Sequence, residues 1–368
     1  MNELKKELNR RKVPSVRTIH QKTAHDLAEW KTLREEIRTT VLQEEYGELP
    51  PVLLPKIAVE KKPALVENSI WEEVTFEFEQ NEKRHVVPTQ LLLPASVEKV
   101  PVVVYLNFRA DVPDEYLPAR EILSQGYGLF VVCYTDATTD DGDFENGLAG
   151  LFQEGERKPH ERGKIAYWAY MASRMQDYLR TREEVDPSKI GVAGHSRLGK
   201  TALVAAATDE RFSFVCANDS GCSGAAISRG RNAGGERLSD ICKNFPYWFT
   251  INWQRYVDKE DELPFDQHHL LALIAPRAAY IGGATEDIWA DNESQFLCCV
   301  AASEIWELYG ERGIISPNGM PVAGESRTDG CVGFYLREGK HFHTLEDWNF
   351  GLKAVTRYLE NRREKLCK

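Results

Sequence analysis

Lys189-Ile190-Gly191-Val192-Ala193-Gly194-His195-Ser196-Arg197-Leu198-Gly199-Lys200-Thr201-Ala202-Leu203 decides how this 368-residue chain is read. Residues 190–193 are an apolar run of buried-strand type. Residues 201–207 (Thr-Ala-Leu-Val-Ala-Ala-Ala) suit a packed helix rich in the strongest helix former. Between them, Gly194-His195-Ser196-Arg197-Leu198-Gly199 sets a serine on a tight strand-to-helix turn. Small residues must flank such a serine so that strand and helix can approach. The turn also puts the hydroxyl at a helix N-terminus, where backbone N–H groups stabilise a developing anion. This is a nucleophile elbow. The spacing departs from Gly-x-Ser-x-Gly, because Leu198 takes the second glycine's place and Gly199 comes one position later.

Working outward, strand-type runs at 100–106, 129–134, 212–219, 276–284 and 332–336 alternate with helical patterns at 117–126, at 165–178 and from Thr344 onward. Strands alternating with helices predict a mostly parallel sheet covered on both faces, the three-layer α/β-hydrolase fold. Residues 56–95 alternate in polarity and suit antiparallel strands at the leading edge. Residues 1–50 read as a helical extension packed on the outside of the core. Residues 51–368 read as one α/β-hydrolase domain, with an aromatic insertion around 228–265. The acidic, glycine-containing stretch 136–152 reads as a surface loop.

Composition narrows the function. The chain is 42% hydrophobic and 28% charged, with a net charge of −11, which suits a soluble protein and argues against a nucleic-acid or anionic-membrane partner. No window approaches the roughly 18 apolar residues of a transmembrane helix. The first residues, Met-Asn-Glu-Leu-Lys-Lys-Glu-Leu, contain no apolar signal core, so the sequence as it stands reads as cytoplasmic, and as secreted if a signal was removed. The eight cysteines (133, 216, 222, 242, 298, 299, 331 and 367) lack zinc-type spacing and suit free thiols. No metal or cofactor is expected.

A serine nucleophile needs a base in reach and an acid to orient that base, here in the chain order Ser, acid, His. His341 follows the last strand and precedes a helix, with His343 its near rival. Asp287 follows the penultimate strand. Asp219 ends the strand after the elbow helix, and Asp291 is a third acid in range. Oxyanion donors would come from Arg197 and from Asn107 or Phe108, after the first parallel strand. Lys200, one helical turn beyond Ser196, would face the same cleft.

In combination, several stretches resemble the glucuronoyl esterases, the carbohydrate esterases that cleave 4-O-methylglucuronoyl esters between xylan and lignin, and in particular their bacterial branch. They are Gly194-His195-Ser196-Arg197-Leu198-Gly199-Lys200, Asn107-Phe108, Asp219-Ser220-Gly221-Cys222-Ser223-Gly224-Ala225-Ala226, Phe245-Pro246-Tyr247-Trp248-Phe249, Asp266-Gln267-His268, Asp287-Ile288-Trp289-Ala290-Asp291 and Gly339-Lys340-His341. The resemblance implies Ser196 as nucleophile, His341 as base and Arg197 as an oxyanion contributor. It implies Lys200 and Trp289 as holders of the sugar acid, with Glu236 and Trp248 lining the pocket. The family's acid is commonly a glutamate where this chain has the shorter Asp219, which raises Asp287. The implied substrate is a plant cell wall glucuronoyl ester, a glucuronoxylan or xylo-oligosaccharide fragment. The alternatives are an acetylxylan esterase acting on acetylated xylo-oligosaccharides, and a carbohydrate-binding pseudo-hydrolase stacking sugars on Trp248, Trp253 and Trp289.

Overall fold

The structure, a computed structural model, describes residues 2–96, 98–316 and 319–366. A short hairpin, β1 (Thr18–Ile19) and β2 (Lys22–Thr23), lies in the N-terminal region. Ten further strands form a single sheet: β3 (Lys56–Lys61), β4 (Ile70–Gln80), β5 (Lys83–Leu93), β6 (Val100–Asn107), β7 (Gly128–Cys133), β8 (Val185–His195), β9 (Phe214–Asn218), β10 (Ala278–Ala284), β11 (Glu325–Arg327) and β12 (Val332–Arg337). Their order is β11-β12-β10-β9-β8-β6-β7-β5-β4-β3. The six strands from β12 to β7 in this order run parallel, and β5, β4 and β3 extend the sheet antiparallel at one edge.

Alternation along the strands builds the layers. In β6, Val102, Val104 and Leu106 enter one core, under the helices Lys164–Leu179 and Arg197–Thr208. Val103 and Tyr105 enter a second core, under the helices Ala119–Ser124 and Leu345–Leu366. In β8, Ile190 and Val192 face the first core and Ala193 the second. Both faces of the parallel sheet are therefore covered, as its near-continuous apolar strands require. No helix among the described residues is long and apolar enough to cross a membrane.

The N-terminal residues lie against the outer side of the first core but reach far into it. The helix Leu27–Val41 starts at Asp26, whose carboxylate accepts the Glu29 N–H (2.9 Å), and it buries Trp30, Ile37 and Val41. Beyond it, Tyr46 and Glu45 are fully buried. Glu45 accepts two hydrogen bonds from Gln267 Nε2, each 3.0 Å, and the Tyr46 hydroxyl donates to the Ser223 carbonyl. The Arg11 side chain is enclosed as well and donates to Ser294 Oγ (2.7 Å).

The stretch 136–152 is not the surface loop that its acidic composition suggested. Its second half forms the helix Gly147–Phe152, with Leu148 and Leu151 buried. Its first half is fastened from beneath by the enclosed Lys164, which donates to Thr138 Oγ1, Thr139 Oγ1 and the Asp143 carbonyl. Trp168 Nε1 adds a bond to the Thr138 carbonyl (3.0 Å). The seven described cysteines are free, and Cys367 lies outside the described residues.

Burial raises the Glu45 carboxyl from its ordinary 4.5 to about 8. The folded protein therefore holds this proton between pH 4.5 and 8 while the unfolded chain has released it, so Glu45 lowers stability as pH rises across that window. Glu45→Gln is expected to remove this slope. Denaturant titrations of both proteins at pH 5 and pH 8 should show a wild-type decline larger than the variant's by about 3–4 kcal/mol. Equal slopes would refute the assignment.

Candidate active site

The elbow forms because β8 ends at His195 and the next residue turns sharply into a helix. Ser196 has φ 58° and ψ −125°, a left-handed conformation that costs a non-glycine residue about 1–3 kcal/mol. The neighbouring strand and the new helix keep it there. Ser196 N–H donates to the Asn218 carbonyl (2.9 Å), and its own carbonyl accepts from the Lys200 N–H (3.1 Å). A Cβ on Gly194 would lie 2.3 Å from the Leu198 carbonyl oxygen. One on Gly199 would lie 3.0 Å from the Asn218 carbonyl oxygen and 3.1 Å from Ser220 Cβ. The altered spacing now has a reason. Leu198 points into the core, and it is Gly199 that crosses the chain after β9.

Ser196, Arg197, Lys200, Glu236, Trp248, Asp287, Trp289 and His341 line one pocket of about 370 Å³, with Asp219 at its base. His341, on the loop after β12, has a half-exposed side chain, and its Nδ1 bonds Asp287 Oδ2 at 2.5 Å. Asp287 is buried, and its other oxygen accepts the Ala290 N–H (3.2 Å), so the carboxylate is fixed on both sides. Asp287 thus makes the bond that orients His341.

Asp219 sits behind that pair. Its Oδ1 accepts the Ala284 N–H (3.1 Å), while Oδ2 is enclosed without a hydrogen-bond partner. Burial pushes this carboxyl well above the usual range, and the negative charges of Asp287 and Asp347 push it further. Asp291 lies elsewhere. It caps the helix Asn292–Leu308 through Ser294 and faces Arg231 at 3.5 Å. His343 is buried, bonds the Tyr105 hydroxyl (2.9 Å) and stacks on Trp348, away from the pocket lining. Donor atoms of Asp219, Asp287 and His341 lie within 4.8 Å of one another, close enough to hold a metal ion. Two of them are already committed to the bonds just described, an arrangement suited to acid–base work.

The expected oxyanion side needs correction. Asn107 is fully buried; its Oδ1 accepts the Phe108 N–H (2.9 Å) and its Nδ2 donates to Asp114. Neither Asn107 nor Phe108 lines the pocket, and the Phe108 ring instead packs on Arg197 and His195. Asn107 serves to close the loop after β6.

The Arg197 side chain is anchored by a residue the sequence did not single out. Its guanidinium pairs with Asp140 and lies 4.7 Å from the Trp248 ring centre, and Trp248 Nε1 donates to the other Asp140 oxygen at 2.6 Å. Phe245 stacks on Trp248 with ring centres 3.9 Å apart. Asp140 comes from the loop fastened by Lys164. Several acids share that loop, and nothing in the sequence tells which one turns inward.

On the opposite wall, the buried Lys200 ammonium donates to the Ser220 carbonyl (2.5 Å). Burial lowers its pKa and nearby Glu236 opposes the shift. Burial likewise raises the Glu236 carboxyl, against the pull of Lys200. Trp289, 49% exposed, forms the rim. Trp253 is fully buried and donates to Ser223 Oγ (3.1 Å), so it offers no sugar platform. Asp266-Gln267-His268 is also structural: Gln267 binds Glu45, and His268 Nε2 meets the Pro14 carbonyl at 2.9 Å.

The sheet order, the helices on both faces, the elbow after β8 and a His–Asp pair on the loops after β12 and β10 define an α/β-hydrolase. A family profile described as "Glucuronyl esterase, fungi" matches residues 77–310, well over half of the chain. The chain belongs to the glucuronoyl esterase family. A glucuronoyl esterase from Solibacter usitatus superposes with a TM-score of 0.85 at 34% identity, over 94% of this chain and 97% of that one. One from Teredinibacter turnerae superposes equally well at 28% identity, over 94% and 89%. A carbohydrate esterase from an unknown prokaryotic organism is 37% identical over 248 residues, which are 65% of this chain and 55% of that protein. The 4-O-methyl-glucuronoyl methylesterase of Hypocrea jecorina is 35% identical over 169 residues, or 44% and 36%. The chain thus spans about half or less of the length of these two curated relatives.

The geometry separates the two acids. Asp287→Asn is expected to lower kcat by about 10³–10⁴, since the amide favours the wrong imidazole tautomer. Asp219→Asn should stay within about tenfold of wild type, because an amide mimics a protonated carboxyl. Steady-state rates on one activated ester decide between them, and the reverse ranking would transfer the acid role to Asp219. Asp140→Ala is expected to cost about 10-fold or more in kcat/KM by freeing the Arg197 and Trp248 side chains.

Proposed function

We propose that this protein is a serine carboxylic-ester hydrolase acting on carbohydrate esters whose acyl group is a glucuronate, of the kind that joins 4-O-methylglucuronoxylan to an alcohol. Ser196 attacks the ester carbonyl while His341 takes its proton, and Asp287 keeps the imidazole in the tautomer that can accept it. The Arg197 N–H, at the start of the elbow helix, meets the oxyanion, and the guanidinium on its Asp140 anchor adds positive potential. His341 then returns the proton to the leaving alcohol. Water repeats the sequence on the acyl-enzyme.

One observation carries the choice of acyl group. Lys200 and Glu236 are buried and ionisable, and they share the wall beside the nucleophile with the exposed indole of Trp289. Burying two polar groups there is costly unless a ligand with several hydroxyls meets them. A glucuronoyl ring supplies those hydroxyls and an apolar face for the indole, whereas an acetyl group leaves both residues idle. The names of the relatives support the same substrate class. A sugar-binding pseudo-hydrolase has no use for an elbow serine and a carboxylate-oriented histidine together.

Ser196→Ala is expected to lower hydrolysis of benzyl glucuronate by about 10⁴–10⁶ with the fold intact. Lys200→Ala and Trp289→Ala should each cost about 1–3 kcal/mol in kcat/KM on that ester, and much less on a small acetyl ester. Equal losses on both esters, or a wild type inert toward glucuronate esters, would hand the assignment to the acetyl-ester reading.

A further inference from the structure

Arg337, the last residue of β12, is buried, and its guanidinium is spent almost entirely on the loop that carries His341. Nη1 donates to the Glu338 carbonyl (2.8 Å), and Nη2 donates to the carbonyls of Lys340 (2.7 Å) and Phe342 (2.5 Å). The two acceptors on Nη2 flank His341 in the chain. Nε donates to Asp347 Oδ2 (2.6 Å), and that same oxygen accepts from the N–H and hydroxyl of Thr344 at the start of the last helix. Nη2 also lies 3.9 Å from Asp219 Oδ2, the enclosed oxygen without a hydrogen-bond partner.

We propose that Arg337 is the positioning residue for the catalytic histidine, a planar clamp that gathers the carbonyls around His341 and ties them to the last helix. The proposal rests on the reading of His341 as general base. The loop's other ties are to side chains and to its first turn: His341 bonds Asp287, His343 bonds the Tyr105 hydroxyl (2.9 Å), Phe342 stacks on Tyr116, the Gly339 N–H meets Thr285 Oγ1 (3.2 Å) and the Glu286 N–H meets the Gly339 carbonyl (2.8 Å). Among the described residues, Arg337 alone donates to the Lys340 and Phe342 carbonyls on either side of His341. Loop carbonyls that turn inward need donors, and a guanidinium presents five in one rigid plane. An ammonium at the same place cannot reach three carbonyls and a carboxylate together. Gly339 shows how close the fit is: its φ is 105°, and a Cβ there would sit 3.1 Å from Arg337 Nη1.

The test uses the full chain, any ester that it hydrolyses, and a fluorophosphonate probe whose reaction with Ser196 needs a correctly placed base. Arg337→Lys keeps the charge and loses the fork. It is expected to lower kcat by about 100-fold, the scale of an ångström-sized misplacement, with KM changed by less than about 3-fold. Labelling of Ser196 should slow in proportion. Gly339→Ala disturbs the clamp from the loop side, by pressing a methyl on Arg337 Nη1 while Arg337 itself and the core keep their residues, and is expected to act in the same direction. Wild-type kcat and labelling rate in Gly339→Ala, or in a folded Arg337→Lys, overturn the proposal. So does a loss confined to KM. A wild-type protein that the probe does not label would instead remove the catalytic reading itself, which keeps the two failures apart.

Discussion

The left-handed backbone at Ser196 is the constraint on which the rest of the site depends. It holds the residue in a conformation that an isolated chain would leave, so the surroundings have to keep it there. Part of that support is the bond from the Ser196 N–H to the Asn218 carbonyl, which ties the elbow to the neighbouring strand. Asn218 in turn meets His195 Nδ1 at 2.5 Å and donates to Asp347 at 3.0 Å. Asp347 receives Arg337. The strained serine and the histidine loop are thus held by one buried network that passes under the pocket floor.

That network also arranges charge. Asp219, Asp287 and Asp347 approach each other in a region closed to water, where three ionised carboxylates repel strongly. Arg337 offsets part of this repulsion, and a raised Asp219 carboxyl removes another part by keeping its proton. Asp287 is the acid in contact with the imidazole. Among the described residues, the Asp219 carboxyl makes no hydrogen bond to that imidazole; its one bond is from the Ala284 N–H.

What the sequence could reveal followed from locality. The elbow and the alternation of strands and helices are written in contiguous residues, and so is the position of His341 after the last strand; each was legible. Asp140, Arg337 and Glu45 were not. Asp140 and Glu45 take their roles from partners 57 and 222 positions away, and Arg337 takes its role from a loop path that turns the carbonyls 1, 3 and 5 positions on back toward it, a property of the folded chain alone. Asp140 was further masked by the other acids around it, and the closing of Asn107 on Phe108 and Asp114 depended on a loop path that no local pattern encodes. Gln267 and His268 have a structural part: they grip the N-terminal segment at Glu45 and Pro14.

That grip separates the stretch recognised by kinship from the unit that must fold. The family profile covers residues 77–310, which hold Ser196 and Asp287 but omit His341, while Trp30, Ile37 and Tyr46 belong to the same core as the elbow helix. A gene trimmed to the recognised boundaries would encode a protein without His341 and its bond to Asp287. It would also lose strands β3, β11 and β12 and most of β4, and leave Gln267 buried opposite a missing carboxyl. The segment that carries Arg11, Trp30 and Tyr46 is therefore internal scaffolding, although it lies outside the stretch recognised by kinship.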